Sequence, residues 1–521
     1  MNMKFLDCTL RDGGYYTNWD FNQELVDIYL QSIELLPVDI IEVGYRSIVK
    51  NGYLGQYYYC PKETLAHIKK LAPSKKIAIM FNEVDITPED CRRLLKPISH
   101  LVDIVRMAVK PERFEQAVNL SRCIKEQGFE VGFNLMYMSR IVKNPSILNE
   151  LPKLNGIVDY FSFVDSYGGI FPKDVKDTLK KVNNVLDMKI GFHGHNNLEL
   201  AFINALTAMD NGCSIVDGTI TGMGRGAGNL KTELYLTWLS SHKGVDVNFN
   251  ALSEVVSVFE KMQAQYGWGT NLPYMVSGVS SLPQQEVMDW VTKRTYSMNS
   301  IVRALQNQNA GDLDNAKLPL LNGNENFKKA ILIAGGPSAI KHSSAIHKWI
   351  EINKKNIIVI HVSSRHVKHY EGVDAPQIYC LVGNEGHRLE QTFDNLKAVN
   401  GRCILPPYPR KMGTYVPESM MKETFELKEV NFTDKYNDSH TAISLQTALE
   451  LGVEEIYSVG FDGYNGEMIG EKEKDLLKEN SYLFERFSKK QIIRSLTQTQ
   501  YNELEAGSVY SLVANNLNYE V

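Results

Sequence analysis

From residue 4 to about residue 239, short apolar runs alternate with stretches long enough for a helix, and the pattern recurs eight times. The strand-like runs are Lys4–Cys8, Ile40–Val43, Lys76–Phe81, Val102–Met107, Glu130–Leu135, Tyr160–Val164, Lys189–His193 and Ile215–Gly218. Helical patterns follow them, as at Phe21–Leu35, Thr87–Leu95 and Glu112–Glu126. Parallel strands need a long crossover, usually a helix, so this rhythm predicts β-then-α units. Eight such units in this length predict an α/β chain built on a (β/α)8 barrel, a TIM barrel. A doubly wound open sheet is the alternative, because strand count alone does not prove closure. The polar residues favour the barrel: Asp12, Glu42, Arg106, Asn134, Asp165, His193, His195 and Asp217 fall at or just past the strands' C-terminal ends. That face carries the active sites of such barrels.

A chain of 521 residues exceeds what one core supports. The barrel is expected over 1–245, a helical appendage over 246–310, a polar linker over 311–328 and a second α/β domain over 329–521. A net charge of -5 and a pI near 6.2 give no reason to expect nucleic acid. Seven scattered cysteines without a CxxC pair fit reduced thiols rather than a disulfide framework or a zinc knuckle. No apolar run approaches the ~20 residues that span a bilayer, and the first residues leave no room for a signal peptide. The expectation is a cytoplasmic protein, assembled as a homo-oligomer.

His193 and His195 stand two apart at a strand end and project to one face. Asp12 is expected from the end of the first strand, which neighbours the seventh and eighth once a barrel closes. Two imidazoles and a carboxylate can take one face of an octahedral ion, leaving positions for water and a bidentate 2-oxo acid. A metal on the ketone oxygen lowers the cost of an adjacent enolate, and Arg11 brings a second positive charge to that oxyanion. An isolated HxH or Arg-Asp pair would mean surface residues; their coincidence with the barrel rhythm is what points to a site. The same triad occurs in non-haem iron oxygenases, but those sites generally sit in small β-barrels, against the rhythm here.

Five motifs carry a family resemblance: Asp7-Cys-Thr-Leu-Arg-Asp-Gly-Gly14, Ile41-Glu-Val-Gly44, Val164-Asp-Ser-Tyr-Gly168, Gly191-Phe-His-Gly-His-Asn-Asn-Leu198 and Gly222-Met-Gly-Arg-Gly-Ala-Gly-Asn229. In this order they resemble the DRE-TIM metallolyases, and within them the 4-hydroxy-2-oxovalerate aldolases. The resemblance implies a divalent-metal-dependent aldolase that joins or splits pyruvate, or a close 2-oxo acid, and an aldehyde through a metal-bound enolate. It implies Asp12, His193 and His195 as metal ligands, Asn229 as a fourth or supporting group, and Mn2+ or Mg2+ as the ion. It also implies Arg11 as the enolate-stabilising group and Ser166 as a neighbour of the substrate. The family carries Arg-Asp-Gly-x-His, the His serving as the proposed base; Tyr15 stands in its place here. A phenol titrates near ~10 in water, too high for a base at neutral pH. Three roles for Tyr15 therefore stay open: acid, positioner of a water, or wall of a roomier pocket. A Claisen-type synthase joining an acyl-CoA to a 2-oxo acid is the alternative. The lyase branch that cleaves hydroxymethylglutaryl thioesters needs a cysteine in the glycine-rich loop, and 222–229 has none.

In the second domain, Lys329–Ala334, Asn356–Val362, Gln377–Val382 and Glu455–Val459 read as strands, with a helix over about Ser439–Leu451. Lys329-Ala-Ile-Leu-Ile-Ala-Gly-Gly-Pro-Ser338 is a strand running into a glycine turn and a helix, a geometry that offers free N–H groups to an anion. With Ser439–Gln446 and Ile456–Tyr464 it distantly resembles the Rossmann-like domain of bacterial sialyltransferases and surface-glycan proteins. That resemblance implies a nucleotide-sugar pocket lined by Gly335, Gly336, Ser338 and Asp462, with His440 near it. The aldehyde would then be sugar-derived and the pathway one of surface polysaccharide. A nucleotide-sugar binder with an idle barrel is the competing expectation.

Overall fold

The computed structural model describes residues 3–293, 296–323, 327–393, 401–464 and 471–517. The chain forms two compact units, Met1–Asp289 and Trp290–Val521. In the first, eight parallel strands close a barrel in chain order. They are β1 (Lys4–Asp7), β2 (Ile40–Tyr45), β3 (Lys76–Asn82), β4 (Ile104–Val109), β5 (Glu130–Leu135), β6 (Tyr160–Asp165), β7 (Lys189–Gly194) and β8 (Ile215–Gly218). Closure is made by β8 against β1, with Leu6 opposite Asp217 and Asp7 opposite Gly218. The open-sheet alternative is thereby excluded. Strands covered on both faces read as continuous apolar runs, which is why their positions stand out in the sequence. Leu6, Ile40, Ala78, Ile104 and Ile215 pack together as one of the buried apolar clusters.

Asp12 is not on β1. It lies in the first turn of helix α1 (Thr9–Thr17), which starts two residues after the strand ends. Asp7 makes this sharp passage possible. Its buried carboxylate accepts the Thr9 N–H at 3.0 Å and the hydroxyls of Thr9, Tyr29 and Thr232 at 2.6, 2.7 and 2.6 Å. Gly13 and Gly14 each lower helix propensity by ~1 kcal/mol, but packing requires them. A Cβ at Gly13 would meet Met223 Sδ at 2.5 Å, and one at Gly14 would meet Trp19 Cδ1 at 2.1 Å.

After the barrel come the helices α2 (Phe249–Tyr266) and α3 (Leu272–Val279), an appendage to it within the first unit. Asn197, the second Asn of the His-Gly-His-Asn-Asn motif, fastens it. Its amide donates to Tyr274 O at 2.9 Å and Gln284 Oε1 at 2.8 Å. Gly278 of α3 lies so close that an added Cβ would stand 2.8 Å from Asn197 Cβ. The boundary between the compact units falls at Asp289, inside the 246–310 segment, so the helix Met298–Ala310 groups with the second unit.

The second unit is an eight-stranded, all-parallel sheet in the order β13-β12-β11-β10-β9-β14-β15-β16. Its strands are β9 (Lys329–Ile333), β10 (Ile357–His361), β11 (Gln377–Cys380), β12 (Arg402–Leu405), β13 (Thr424–Glu426), β14 (Glu455–Val459), β15 (Ile493–Ser495) and β16 (Glu505–Ala506). Four of these were not expected from the sequence. The segment expected as a linker is partly built in. Leu321 N–H donates to Glu426 O at 2.9 Å, and Arg410 sits between Asp314 at 3.0 Å and Glu426 at 2.9 Å. Its residues 324–326 lie outside the described residues. No described helix is long and apolar enough to cross a membrane.

Replacing Asp7 by Ala strands a buried N–H and three buried hydroxyls, each costly to leave unpaired. The expected loss is ~2–4 kcal/mol in the unfolding free energy of the barrel unit, read by denaturant titration. A loss below ~0.5 kcal/mol would show that β1 and α1 are joined by other means.

Candidate active site

The strands' C-terminal ends open into a cavity of about 570 Å³. Arg11, Asp12 and Tyr15 from α1, Ser166 after β6, and His193 and His195 from β7 and its end all line it. The helix places Arg11 and Tyr15 four apart, on one face. Asn229 comes from the loop after β8. His195 and Asn229 form a backbone bridge, and Asn229 donates its amide to Asp12 Oδ2 at 2.8 Å. The expected barrel residues therefore converge.

Beneath them runs a buried ring of charge. Arg11 binds Asp12 and, at 2.7 Å, Glu42. Arg106 bridges Glu42 at 3.2 Å and Asp217 at 2.5 Å. Asp217 accepts from His193 Nδ1 at 3.0 Å, and His193 Nε2 lies 3.5 Å from Asp12 Oδ2. Glu42 is fully buried in this ring and is no rim carboxylate. Burial opposes the charge on Asp217, but Arg106 and His193 outweigh it and hold its carboxyl at about 2. Burial likewise opposes the charge on Asp12, and the Arg11 guanidinium outweighs it and keeps the carboxyl below the usual range.

The arrangement suits a divalent ion. His193 is held through Nδ1 by Asp217, and His195 through Nδ1 by the Asp165 carbonyl at 2.7 Å. That tautomer leaves each Nε2 lone pair available, the usual support of a metal-bound imidazole. Burial lowers His195 to about 3, which keeps it neutral. Asn229 Oδ1 is buried without a hydrogen-bond partner among the described residues. The oxygen and imidazole donors match Mg2+ or Mn2+ better than a soft ion. Cys8 Sγ also lies within 4.8 Å of the Asp12 and His193 donor atoms. Burial and the Asp12 charge push its thiol well up, and it stands under Asp12 Oδ2 at 3.8 Å as a neutral group.

Arg225 is the site residue that the sequence reading passed over. It sits in the loop 222–229, between Gly224 and Gly226. Its Nη2 donates to Tyr15 Oη at 3.0 Å, and its guanidinium lies 4.3 Å from the centre of the Tyr15 ring. Tyr45 Oη is 3.1 Å from the same oxygen. The loop's glycines let Arg225 reach the cavity while Asn229 reaches Asp12: Gly228 has φ +77°, and a Cβ on it would meet Gly222 O at 2.0 Å. Ser166 lines the cavity, but its Oγ accepts the Tyr137 N–H at 2.9 Å, which holds Tyr137 at φ 64°. Asp165 turns its carboxyl toward the backbone N–H groups of Gly169 and Ile170, and burial raises it to about 7.

In the second unit, Gly335, Gly336 and Asp462 line a cavity of about 760 Å³, together with Arg365, Arg388 and His440. It lies beyond the C-terminal ends of β9 and β14, where the strand order reverses, a common place for a ligand. Ser338 points elsewhere than expected. Its N–H donates to Asp462 Oδ2 at 2.8 Å and its hydroxyl to Asp462 Oδ1, so the carboxylate already takes the donors of the glycine turn. His440 Nε2 lies 3.5 Å from Glu385 Oε1.

Because Asp217 orients His193, Asp217→Asn should weaken Mn2+ binding ~10- to 100-fold, measured by calorimetry, with the fold retained. Unchanged affinity would show that the charge of Asp217 does not support His193 as a ligand.

Comparison with known proteins agrees with this geometry. The HMGL-like family model matches residues 97–259. The 4-hydroxy-2-oxovalerate aldolase of Thermomicrobium roseum is 32% identical over 247 residues, 46% of this chain and 68% of the relative. That of Chloroflexus aggregans is 30% identical over 252 residues, 47% of this chain and 72% of the relative. The crystal structure of the N-terminal domain of a candidate aldolase from Bacteroides vulgatus is 52% identical, with a TM-score of 0.55; the match covers 58% of this chain and all of that one. The chain belongs to the 4-hydroxy-2-oxovalerate aldolase family of HMGL-like proteins, and is a metal-dependent carbon–carbon lyase.

Proposed function

We propose that the barrel catalyses reversible aldol chemistry between pyruvate, or a close 2-oxo acid, and an aldehyde, by way of the pyruvate enolate. The observation that carries this reading is the convergence of Asp12, His193, His195, Arg11 and Tyr15 on one cavity. Asp12, His193 and His195, with Asn229 beside them, would hold Mn2+ or Mg2+, which supplies Lewis acidity toward the 2-oxo group. The chain's own groups do the rest. Arg11, fixed between Asp12 and Glu42, offers a preorganised positive charge to the enolate oxygen. In the joining direction the pyruvate methyl gives up a proton to solvent, which later returns one to Tyr15, and the enolate carbon attacks the aldehyde carbon. The carbonyl electron pair moves to oxygen, and Tyr15 Oη gives that oxygen its proton. Arg225 and Tyr45 remain on Tyr15 Oη and stabilise the charge left there. Cleavage is the reverse, the proton returning to Tyr15.

The cavity also bears on the aldehyde. Tyr15, Trp19, Tyr45 and Tyr58 make an aromatic wall that suits a larger, sugar-derived partner. For the second unit we infer a small-ligand site, with a nucleotide sugar as the class its cavity at the strand-order reversal would admit. Asp462 weakens that reading, since it occupies the donors a phosphate would use.

Proton exchange at the pyruvate methyl in D2O, followed by NMR, tests the barrel assignment. Exchange should require Mn2+ or Mg2+, stop with chelator, and fall to background in His193→Ala. Full exchange in that variant would sink the assignment. Tyr15→Phe should retain exchange and lose ~10²–10⁴-fold in aldol turnover. An equal loss of both would make Tyr15 part of enolate formation instead.

A further inference from the structure

We propose that the aldehyde carries an anionic group, a carboxylate or a phosphate, on its far end, and that Lys110 and Arg140 bind it. The inference rests on the aldol reading above and concerns the wall of the same cavity that faces the metal-binding side. Four cationic side chains line that cavity, Arg11, Lys110, Arg140 and Arg225, against one carboxylate, Asp12. Asp12 is matched by Arg11, and Arg225 serves Tyr15. Lys110 and Arg140 are left over.

Their place in the barrel fits a distal subsite. Lys110 follows β4 and Arg140 lies in the helix Met138–Lys143 after β5. In a closed ring of eight, these strands stand across from β8 and β1, which carry Asn229, Arg11, Asp12 and Tyr15. A substrate whose carbonyl meets Tyr15 therefore extends toward them. Arg140 is preset: its guanidinium lies 4.5 Å from the Tyr137 ring centre and 5.5 Å from that of Tyr167. Its carboxylate neighbour Glu112 is 3.9 Å away, with both side chains more than half exposed, so that pair is weak. Lys110 has no ion-pair partner among the described residues. Neighbouring rim cations differ: Lys50 holds Asp85 at 2.6 Å and Arg113 holds Glu83 at 2.8 Å. Cations left unmatched in a concave wall attract and orient an anion.

The test uses the full chain with Mn2+, pyruvate and matched acceptors: butanal against succinic semialdehyde, and glyceraldehyde against glyceraldehyde 3-phosphate. The anionic member of at least one pair should show kcat/KM about ten- to a hundredfold higher, and which pair responds separates carboxylate from phosphate. In Lys110→Met and Arg140→Met that ratio should collapse toward one, while Lys110→Arg restores it. Methyl exchange with equal kcat/KM for charged and neutral acceptors would overturn the inference and leave the aldol reading standing. A ratio that survives both Met variants would overturn the assignment to these residues. Absence of exchange in the unmodified protein would overturn the aldol reading, and this inference with it.

Discussion

The site depends on a ring of buried charge that no single strand could build. Asp12, Arg11, Glu42, Arg106, Asp217 and His193 follow one another around the mouth of the barrel, and the last returns to the first. The groups come from α1, β2, β4, β8 and β7, so the ring exists only when the barrel is closed. Buried ions are tolerated when every one is paired and hydrogen-bonded, and are costly otherwise. Three carboxylates against two guanidiniums leave a negative excess, which a divalent cation held by Asp12 and His193, as proposed above, would offset. Stability and metal affinity thus share one set of contacts.

Above the ring, two devices close the site. Asn197 ties the appendage over the strand ends, and Pro283, Gln284 and Gln285 become part of the cavity wall. The loop 222–229 makes two contacts at once: Asn229 reaches Asp12, and four residues earlier Arg225 reaches Tyr15. A glycine at every second position lets so short a loop meet both demands, and Gly228 packs directly on Gly222. A change in that loop would be felt on the metal side and at the phenol together.

Much of this was legible in the sequence, for identifiable reasons. Strands buried on both faces are continuous apolar runs, so all eight barrel strands could be placed to within a few residues. The second sheet was half hidden, because Arg402–Leu405, Thr424–Glu426, Ile493–Ser495 and Glu505–Ala506 are too short for a period to show. Asp12 was assigned to the first strand's end because it follows an apolar run closely; the helix starts at Thr9, with Gly13 and Gly14 packed against Met223 and Trp19. Arg225 was missed because its loop was read for Asn229 and for the cysteine it lacks. A lone arginine among alternating glycines was the available signal. Asp462 was taken for a ligand group, and only the fold reveals that it already caps the turn.

The mounting of Tyr15 has a consequence for how such enzymes diversify. Arg11 and Asp12 are fixed by the ring, whereas Tyr15, one helical turn on, touches Tyr45 and Arg225 from the cavity side. Tyrosine and histidine codons differ by a single base. One point mutation therefore turns Tyr15 into the histidine that the resemblance assigns to this position, and no contact of the ring runs through Tyr15. On the proposed role of Tyr15, such a change would replace the group that moves the proton while the ring beneath keeps its own contacts, with Arg225 left beside the new side chain.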